Sequence, residues 1–563
     1  LRYYCSMTQT DDTDNRLKEL QLREEEELAL MLSHRYDIRY LDLTRVSINS
    51  DALRLIEEPL ARLAEIAGFD IVGKKLTIAV RSPQHPKLPA ILEDLEKRGY
   101  TVEQVLVSRA SLARAWEHYK DLSFAVESKQ GVLDVSPTEL KKVLESIHTI
   151  EDIQKAVASV TEMKRAYRVS KILEVVLAGA FAVDASDIHI EPEQNQVRLR
   201  YRLDGVLHDV INFDLDTANL LLSRLKLLSG LKLNLKNRPQ DGRFSLVMDA
   251  KEIEIRASVI PGAYGETVVM RLLNPDTISV PFEALGMEPK LRALIEREIG
   301  NPNGMLLNTG PTGSGKTTTL YACMKKINSS EIKIITIEDP VEYHVAGLVQ
   351  TQVDEKNYTF LQGLRSALRQ DPDVIMIGEI RDEEVAKTAI DAALTGHFVF
   401  STLHTNDAAG SFPRLVDLGV DPKVFGSAIN IAMAQRLVRV LCKQCKKEVP
   451  LEGKNKERVD KVLAGLRDKT AIPADISKVF EPAGCSVCNN TGFKGRIGVF
   501  EAVVIDSEMD ALLRTSPSEH EIQALQHKKE ILTMVEDGIM KVLTGVTSLD
   551  ELNRVVLIEE TLK

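Results

Sequence analysis

The chain has little of several things. Its 563 residues include one tryptophan, aromatics total 5%, and no stretch interleaves rings with basic side chains. A groove for single-stranded nucleic acid needs both, stacking rings and cations along the backbone. Positive charge is not in excess either: 72 Lys and Arg stand against 83 Asp and Glu, a net −11. That balance argues against a protein that coats phosphate backbones. No apolar run approaches the roughly 18 residues of a membrane span. The longest, "VVLAGAFAV" at 175–183, covers about half a bilayer. The N-terminus lacks a basic-then-apolar leader pattern. These absences predict a cytoplasmic chain whose membrane contact is peripheral or through a partner. It opens at Leu1, with Met7 a candidate start. Cysteine is scarce. Of six, Cys5 and Cys323 are isolated, and four fall into two C-x-x-C pairs.

What is present suggests roughly three to five domains at about 100–200 residues each. Residues 1–30 read as a polar tail and helix, with an acidic run that fits a solvated helix face. Residues 31–120 read as a small α/β domain. "KKLTIAVRSP" and "TVEQVLVS" are strand-like, and "HPKLPAILEDLEKRGY" and "SLARAWEHYKDL" have helical apolar spacing. Residues 121–165 are polar and read as a linker. Residues 166–280 form a second α/β domain, opened by the helix "VSKILEVVLAGAFAV". In "VRLRYRLDGVL" strict alternation puts Arg198, Arg200 and Arg202 on one strand face. "IEIRASVI" and "ETVVMRLL" are further strands, and "RPQDGR" is turn-like. Nucleotide signals fill 285–435, the cysteine pairs 436–500, and helical spacing 501–563. There is no solenoid repeat.

"GMLLNTGPTGSGKTTTLYACMKKI" reads as strand, Gly310-x-x-x-x-Gly315-Lys316-Thr317, helix. This is a complete P-loop in its proper setting. In the binding stretch Gly310, Pro311, Thr312, Gly313, Ser314 and Gly315, the backbone N–H groups of every residue but Pro311 can wrap phosphate oxygens at a helix N-terminus. Lys316 should reach the β- and γ-phosphates, and the Thr317 hydroxyl should sit on Mg²⁺. Thr318 joins the binding stretch and, with Thr319, continues the helix. In "DPDVIMIGEIRD", Asp373 heads a buried parallel strand and is grouped with the nucleotide-binding residues. Glu379 follows at the strand's C-terminal end, where open α/β sheets hold ligands, and is expected to orient or deprotonate the attacking water. In "IITIEDPVEYH" a strand ends in Glu338, Asp339 and Glu342. Pro340 should stop the strand and turn these carboxylates into the cleft. The cluster fits either a plain strand-to-loop junction or Mg²⁺ and water placement. His397 and His404 flank "FVFSTL", with Thr395, Thr402 and Thr405 nearby. They fit either satisfied structural histidines or a polar relay that senses the γ-phosphate.

The cysteines form C-x₂-C-x₃₉-C-x₂-C. Cys442, Cys445, Cys485 and Cys488 suit closed, structural, tetrahedral Zn²⁺. Free thiols or an iron–sulfur cluster are the other readings. Lys443, Lys446 and Lys447 would favour the thiolates, and the 39-residue gap must be accommodated between the knuckles.

Taken in order, the P-loop, the 334–344 acidic box, "IMIGEIRD" and "TGHFVFSTLHTN" resemble the secretion-superfamily hexameric ATPases. Within these the chain looks most like the tetracysteine branch that drives type II secretion and type IV pilus assembly. The resemblance implies a RecA-like P-loop NTPase core, a preceding PAS-like α/β N2 domain, an N-terminal α/β N1 domain and a small zinc-binding C-terminal subdomain. It implies ATP, Mg²⁺ and Zn²⁺ as cofactors. "ASDIHIEP", "RYRLDGVL" and "RPQDGRF" are similar to N2 stretches, which assigns Arg243 and Arg256, and more weakly Arg271, to the nucleotide phosphates. Solvated strand-face arginines are the plainer reading, above all for Arg198, Arg200 and Arg202. The family implies a homo-hexamer at the cytoplasmic face of the inner membrane, working with a platform protein and a cytoplasmic assembly component, with no nucleic acid. Its chemistry would be ATP hydrolysis spent on moving pilin or pseudopilin. A RecA-like nucleic-acid translocase is the alternative.

Overall fold

The computed structural model describes residues 24–43, 46, 48–49, 52–53, 55–72, 74–121, 132–133, 146–161, 165–248, 251–274, 280–354, 356–556 and 558. The expected tail at 1–23, Cys5 and much of the expected 121–165 linker lie outside these residues. The chain divides into two compact units, Leu1–Val126 with Glu162–Lys171, and Glu127–Thr161 with Ile172–Lys563. Among the described residues no helix is long and apolar enough to cross a membrane.

In the first unit, helix α1 (Glu58–Ala64) leads into a three-stranded sheet of β1 (Ile66–Val72), β2 (Lys75–Val80) and β3 (Thr101–Leu106). β1 and β2 form an antiparallel hairpin; β2 and β3 are parallel, as the crossover through helix α2 (Leu88–Lys97) requires. Helix α3 (Arg109–Glu117) starts where the Ser108 side chain accepts from Ser111 N. Leu53, Ile78, Val80 and Leu112 close the core.

The second unit holds two seven-stranded sheets. The first has the order β4-β8-β9-β10-β5-β6-β7, from β4 (Val132–Leu133), β5 (Asp187–Pro192), β6 (Val197–Leu203), β7 (Val206–Phe213), β8 (Gln240–Met248), β9 (Lys251–Gly262) and β10 (Gly265–Leu273). One face is apolar, with Ile188, Leu199, Tyr201, Ile255, Val268 and Met270 buried. Helix α5 (Arg165–Ala182) covers it, and the Tyr201 hydroxyl donates to Val176 O at 2.6 Å. Two expectations are corrected here. "QDGR" is the start of β8 rather than a turn, because its backbone pairs residue by residue with β9. Part of the expected linker is helix α4 (Ile150–Thr161), with Ile153 and Val157 buried. A Cβ on Gly179 would fall 2.8 Å from Ile153, so glycine lets α4 and α5 touch.

The other sheet has the order β13-β12-β14-β15-β11-β16-β19. Its strands are β11 (Gly304–Thr309), β12 (Ile334–Glu338), β13 (Leu348–Gln352), β14 (Val374–Ile377), β15 (Phe398–Leu403), β16 (Ile431–Leu441) and β19 (Phe493–Val504); all neighbours are parallel except β16 and β19. β11, β12, β14 and β15 are buried along their whole length, the pattern of a parallel sheet covered on both faces. Helices α6 to α10 are Leu215–Leu228, Pro289–Glu298, Lys316–Ile327, Phe360–Ala367 and Glu383–Leu394. β16 and β19 run on past the sheet as a two-stranded ribbon that carries the cysteines. The gap between the knuckles folds into a short hairpin of β17 (Lys447–Pro450) and β18 (Lys478–Glu481) and helix α11 (Gly453–Gly465), whose Val459 and Leu463 join the core.

Lys226 on α6 is 2% exposed, paired with buried Glu266 and donating to Leu235 O at 3.0 Å. Removing one partner of a buried pair strands the other charge. Lys226→Ala is therefore expected to cost about 3–5 kcal/mol, while Lys226→Met with Glu266→Leu recovers most of it. Thermal unfolding of the three proteins checks this.

Candidate functional site

Three parallel strands end side by side. Ile377 of β14 pairs with Ser401 of β15, and Leu403 of β15 pairs with Thr309 of β11. Everything just beyond residues 309, 377 and 403 therefore gathers in one place. The P-loop follows β11, and α8 begins at Lys316 with Gly315 at φ 90°. A Cβ on Gly315 would come 2.8 Å from Gln435 Nε2, so a side chain is excluded by crowding as well as by backbone conformation. Gly310 to Gly315 form the loop, with Pro311, Thr312 and Gly313 at its outer turn. Ser314 is buried, and its Oγ has no hydrogen-bond partner. An unpaired polar atom inside a ring of backbone amides suits a phosphate oxygen. Lys316 Nζ donates to Gly310 O at 2.7 Å and Pro311 O at 3.1 Å. Burial lowers its pKa, while the charge of Glu379 acts the other way. Thr317 and Thr318 occupy the first turn of α8, and Thr318 lines the cavity described below.

Glu379 stands just past β14. Arg381 pairs with one of its carboxylate oxygens, and His404 Nε2 lies 3.2 Å from the other. Burial raises the pKa of Glu379, but these two partners outweigh it and hold the carboxyl below its ordinary value. His404 follows the last residue of β15. Its loop is tied to the P-loop strand: Thr405 N donates to Thr309 Oγ1 at 2.8 Å, and the two hydroxyls are 2.7 Å apart. Arg436 Nη2 donates to Asn406 O at 2.6 Å from the far side.

Two expected residues sit at the wrong end of the sheet. His397 precedes β15, where its Nδ1 is 3.1 Å from Ala392 O and its carbonyl accepts from Gly304 N. Asp373 precedes β14 and accepts from Lys333 N at 2.7 Å. The strands are parallel, so their N-terminal ends lie about 20 Å from the loop, six residues at roughly 3.3 Å each. Neither residue reaches the nucleotide end, and both pin strand starts. Thr395 likewise belongs to the C-cap of α10.

The acidic box splits by direction. Glu338 is 2% exposed and accepts from Tyr321, Thr336 and Gln350 under the P-loop helix. Burial raises its pKa. It does not turn into an open cleft as Pro340 suggested. Asp339 lies 3.4 Å from Arg381, and Glu342 lies 3.7 Å from Arg256.

Arg243, Arg256, Arg271, Asp187 and Arg202 stand opposite one another across β8, β9, β10, β5 and β6. Directly opposite residues share a face, so this is one charged row. Asp187 binds Arg271 at 3.0 Å and Arg202 at 3.3 Å. Glu191 takes Arg200 at 2.6 Å and Arg198 at 3.7 Å. Arg256 donates to Val341 O at 2.7 Å, reaching the acidic-box loop, while Arg243 is 75% exposed with Glu254 at 3.8 Å. Sequence reasoning missed Asp187, Tyr321, Arg381 and Arg436. Arg381, Asp187 and Tyr321 lay inside quoted motifs; Arg436 gave no local signal.

Beside the P-loop helix lies a cavity of about 520 Å³, walled by Gly315 and Thr318, by Asp184 and Asp204 of the domain built on the β4–β10 sheet (hereafter the mixed sheet), and by Asn489 and Gly495 of the cysteine ribbon. At the ribbon tip the sulfurs of Cys442 and Cys485 are 3.8 Å apart, those of Cys445 and Cys488 3.8 Å, and those of Cys485 and Cys488 3.7 Å. A tetrahedron with metal–sulfur bonds of about 2.3 Å has edges of about 3.8 Å, so this donor set fits one closed metal site. Burial opposes ionisation of Cys488, but the amides of Cys485 and Gly492 donate to its sulfur and bring the thiol down to about 7.

A P-loop, a strand-end carboxylate and a threonine-tied histidine loop on this sheet define a RecA-like P-loop NTPase core. Residues 162–554 match the Type II/IV secretion system protein family, and 36–125 match the MshEN domain. The chain belongs to the Type II/IV secretion system protein family, whose members include secretion and pilus ATPases. It is 43% identical to Type II secretion system protein E of Pseudomonas aeruginosa, over 68% of this chain and 75% of that one. It is 35% identical to the type IV pilus assembly ATPase PilB of Myxococcus xanthus, over 94% and 90%. The solved ATPase DotB of Yersinia pseudotuberculosis, 19% identical, matches with a TM-score of 0.51 over 68% of this chain and 93% of that one, which supports the fold.

His404→Ala is expected to lower the ATP hydrolysis rate about tenfold, the order of one lost charge-assisted hydrogen bond. His397→Ala should leave it unchanged. Steady-state kinetics of both variants separate the two ends of the strand.

Proposed function

We propose that this chain is one protomer of a hexameric motor that hydrolyses ATP to drive pilin or pseudopilin assembly. The observation that carries the reading is the placement of Lys316, after β11, and Glu379, after β14, on either side of the β15 strand end, with His404 3.2 Å from the carboxylate. The loop amides and Lys316 hold the β- and γ-phosphates, and Thr317 binds the accompanying Mg²⁺. Glu379, kept ionised, orients and deprotonates the attacking water. His404 reports the γ-phosphate to the Thr405–Asn406 loop. Glu338 acts indirectly, by setting the end of β12. Arg256, and Arg243 beside it, neutralise charge growing on the transferred phosphoryl group when the mixed sheet closes on the site. Cys442, Cys445, Cys485 and Cys488 hold one structural Zn²⁺, which keeps the ribbon tip folded. The protomers act at the cytoplasmic face of the inner membrane through a platform protein and a cytoplasmic assembly component. The nucleic-acid translocase alternative is dropped, since these relatives are secretion and pilus ATPases.

Lys316→Ala should abolish nucleotide binding. Glu379→Gln should bind ATP normally and lose at least about a hundredfold in turnover, the usual scale for a lost general base; wild-type turnover would remove Glu379 from the mechanism. Arg381 lowers the pKa of Glu379. In Arg381→Ala that pKa rises, the ionised form is lost at higher pH on acidification, and the acid limb of the kcat/KM profile should move upward. A deletion strain scored for surface pili and for secreted enzymes tests the motor assignment and separates the two cargoes.

A further inference from the structure

Two hydrogen bonds join the cysteine ribbon to the domain of the β4–β10 sheet, both close after the second knuckle. Asn489, directly after Cys488, accepts on Oδ1 from Ile150 N, the first residue of α4, at 3.2 Å. Asp204, in the turn between β6 and β7, accepts on Oδ2 from Gly495 N at 3.0 Å. Both contacts are built for their places. Asn489 has φ 49°, a left-handed conformation that asparagine tolerates well. Asp204 and Gly205, at φ 47° and 85°, make the two-residue turn that aims the carboxylate outward. The same four residues sit at or beside the wall of the 520 Å³ cavity that opens on Gly315 and Thr318 of the P-loop helix.

The base of this ribbon is fixed at the P-loop. Residues 431–434 of β16 pair with 306–309 of β11, and Gln435 Oε1 accepts from Asn308 at 3.1 Å and Thr319 at 2.8 Å. One rigid element thus runs from the phosphate loop to the knuckles, with the mixed sheet's unit seated on its outer end. A further hydrogen bond between the two domains is that from Arg256 to Val341 O at the acidic box.

We infer that the second cysteine knuckle is a latch for the mixed-sheet domain and the outer wall of a nucleoside pocket, so that metal held at the knuckle governs how long a nucleotide is retained. This rests on the nucleotide and metal readings above. Metal fixes Cys485 and Cys488, these fix Asn489 to Gly495, and that segment holds α4 and the β6–β7 turn across the pocket mouth. Nucleoside contacts come from both sides of the latch; phosphate contacts come from the P-loop alone.

The test uses the full chain and stopped-flow release of a fluorescent ATP analogue. Asp204→Ala and Asn489→Gly each remove one acceptor, and Gly preserves the left-handed backbone at 489. Each should speed release about fivefold, the order of one hydrogen bond. Asp204→Asn keeps an acceptor and should stay near wild type. Release of inorganic phosphate analogues such as vanadate with ADP omitted should not change. Metal content, measured on the same samples, should stay at about one per chain. Chelation of the wild type should speed release as the two variants do. In hydrogen exchange, the amides of Gly495 in Asp204→Ala and of Ile150 in Asn489→Gly should lose protection. Wild-type release rates in both variants, with those amides deprotected, overturn the inference while leaving the nucleotide reading intact. Failure of the wild type to bind the analogue overturns the nucleotide reading itself. Absence of metal in the wild type overturns the metal-governed part, and the two point variants then decide the latch.

Discussion

Parallel pairing among β14, β15 and β11 puts a carboxylate, a histidine and a phosphate loop at the ends of neighbouring strands about 4.8 Å apart. None of these groups is near another in sequence. Backbone hydrogen bonds hold the register, and buried apolar side chains on both faces keep it from slipping. A slip of one residue would move Ile377 to the opposite face of the sheet and carry Glu379 away from the cleft. Side-chain bonds then refine what register has set. Thr309 and Thr405 lock the histidine loop to the P-loop strand, and Gln435 and Arg436 close it from the β16 side.

The mixed sheet presents the opposite arrangement, a face of charges rather than an apolar core. Arg243, Arg256 and Arg271 lie side by side, which costs free energy unless acids intervene. Asp187 and Glu254 offset part of that repulsion. The exposed end of the row, at Arg243, keeps its charge available to an anion, while the Asp187 end is neutralised within the sheet. The row therefore has a direction, from ion pairs around Asp187 to an exposed arginine on β8. The cysteine ribbon meets this domain on another side.

Much of this was legible in the residues. The P-loop spacing, the apolar run before Glu379 and the alternation in "VRLRYRL" each follow from short-range rules, because they depend on what one element needs. The C-x-x-C spacing pointed to one cluster of four sulfurs, which the fold brings together. Histidines 397 and 404 show where that reasoning ends. They flank one strand of six residues and look equivalent, yet only the C-terminal end faces the loop. Asp373 and Glu379 repeat the case on β14. Glu338 shows a further limit: a carboxylate at a strand end can turn into the body when Tyr321, Thr336 and Gln350 supply donors, and those donors come from three different elements.

The sequence by itself determined the loop chemistry, the paired cysteines, the P-loop's strand and helix, and the arginines' presence on strand faces. These are local, since spacing of a few residues decides them. Tertiary structure alone decided which of two histidines and which of two acids meets the nucleotide end, that Arg256 rather than Arg243 touches the acidic box, and that Asn489 and Gly495 bond to a second domain. Those choices depend on strand order, direction and register, which arise from hydrogen bonds between segments far apart in the chain and leave no mark in any one of them.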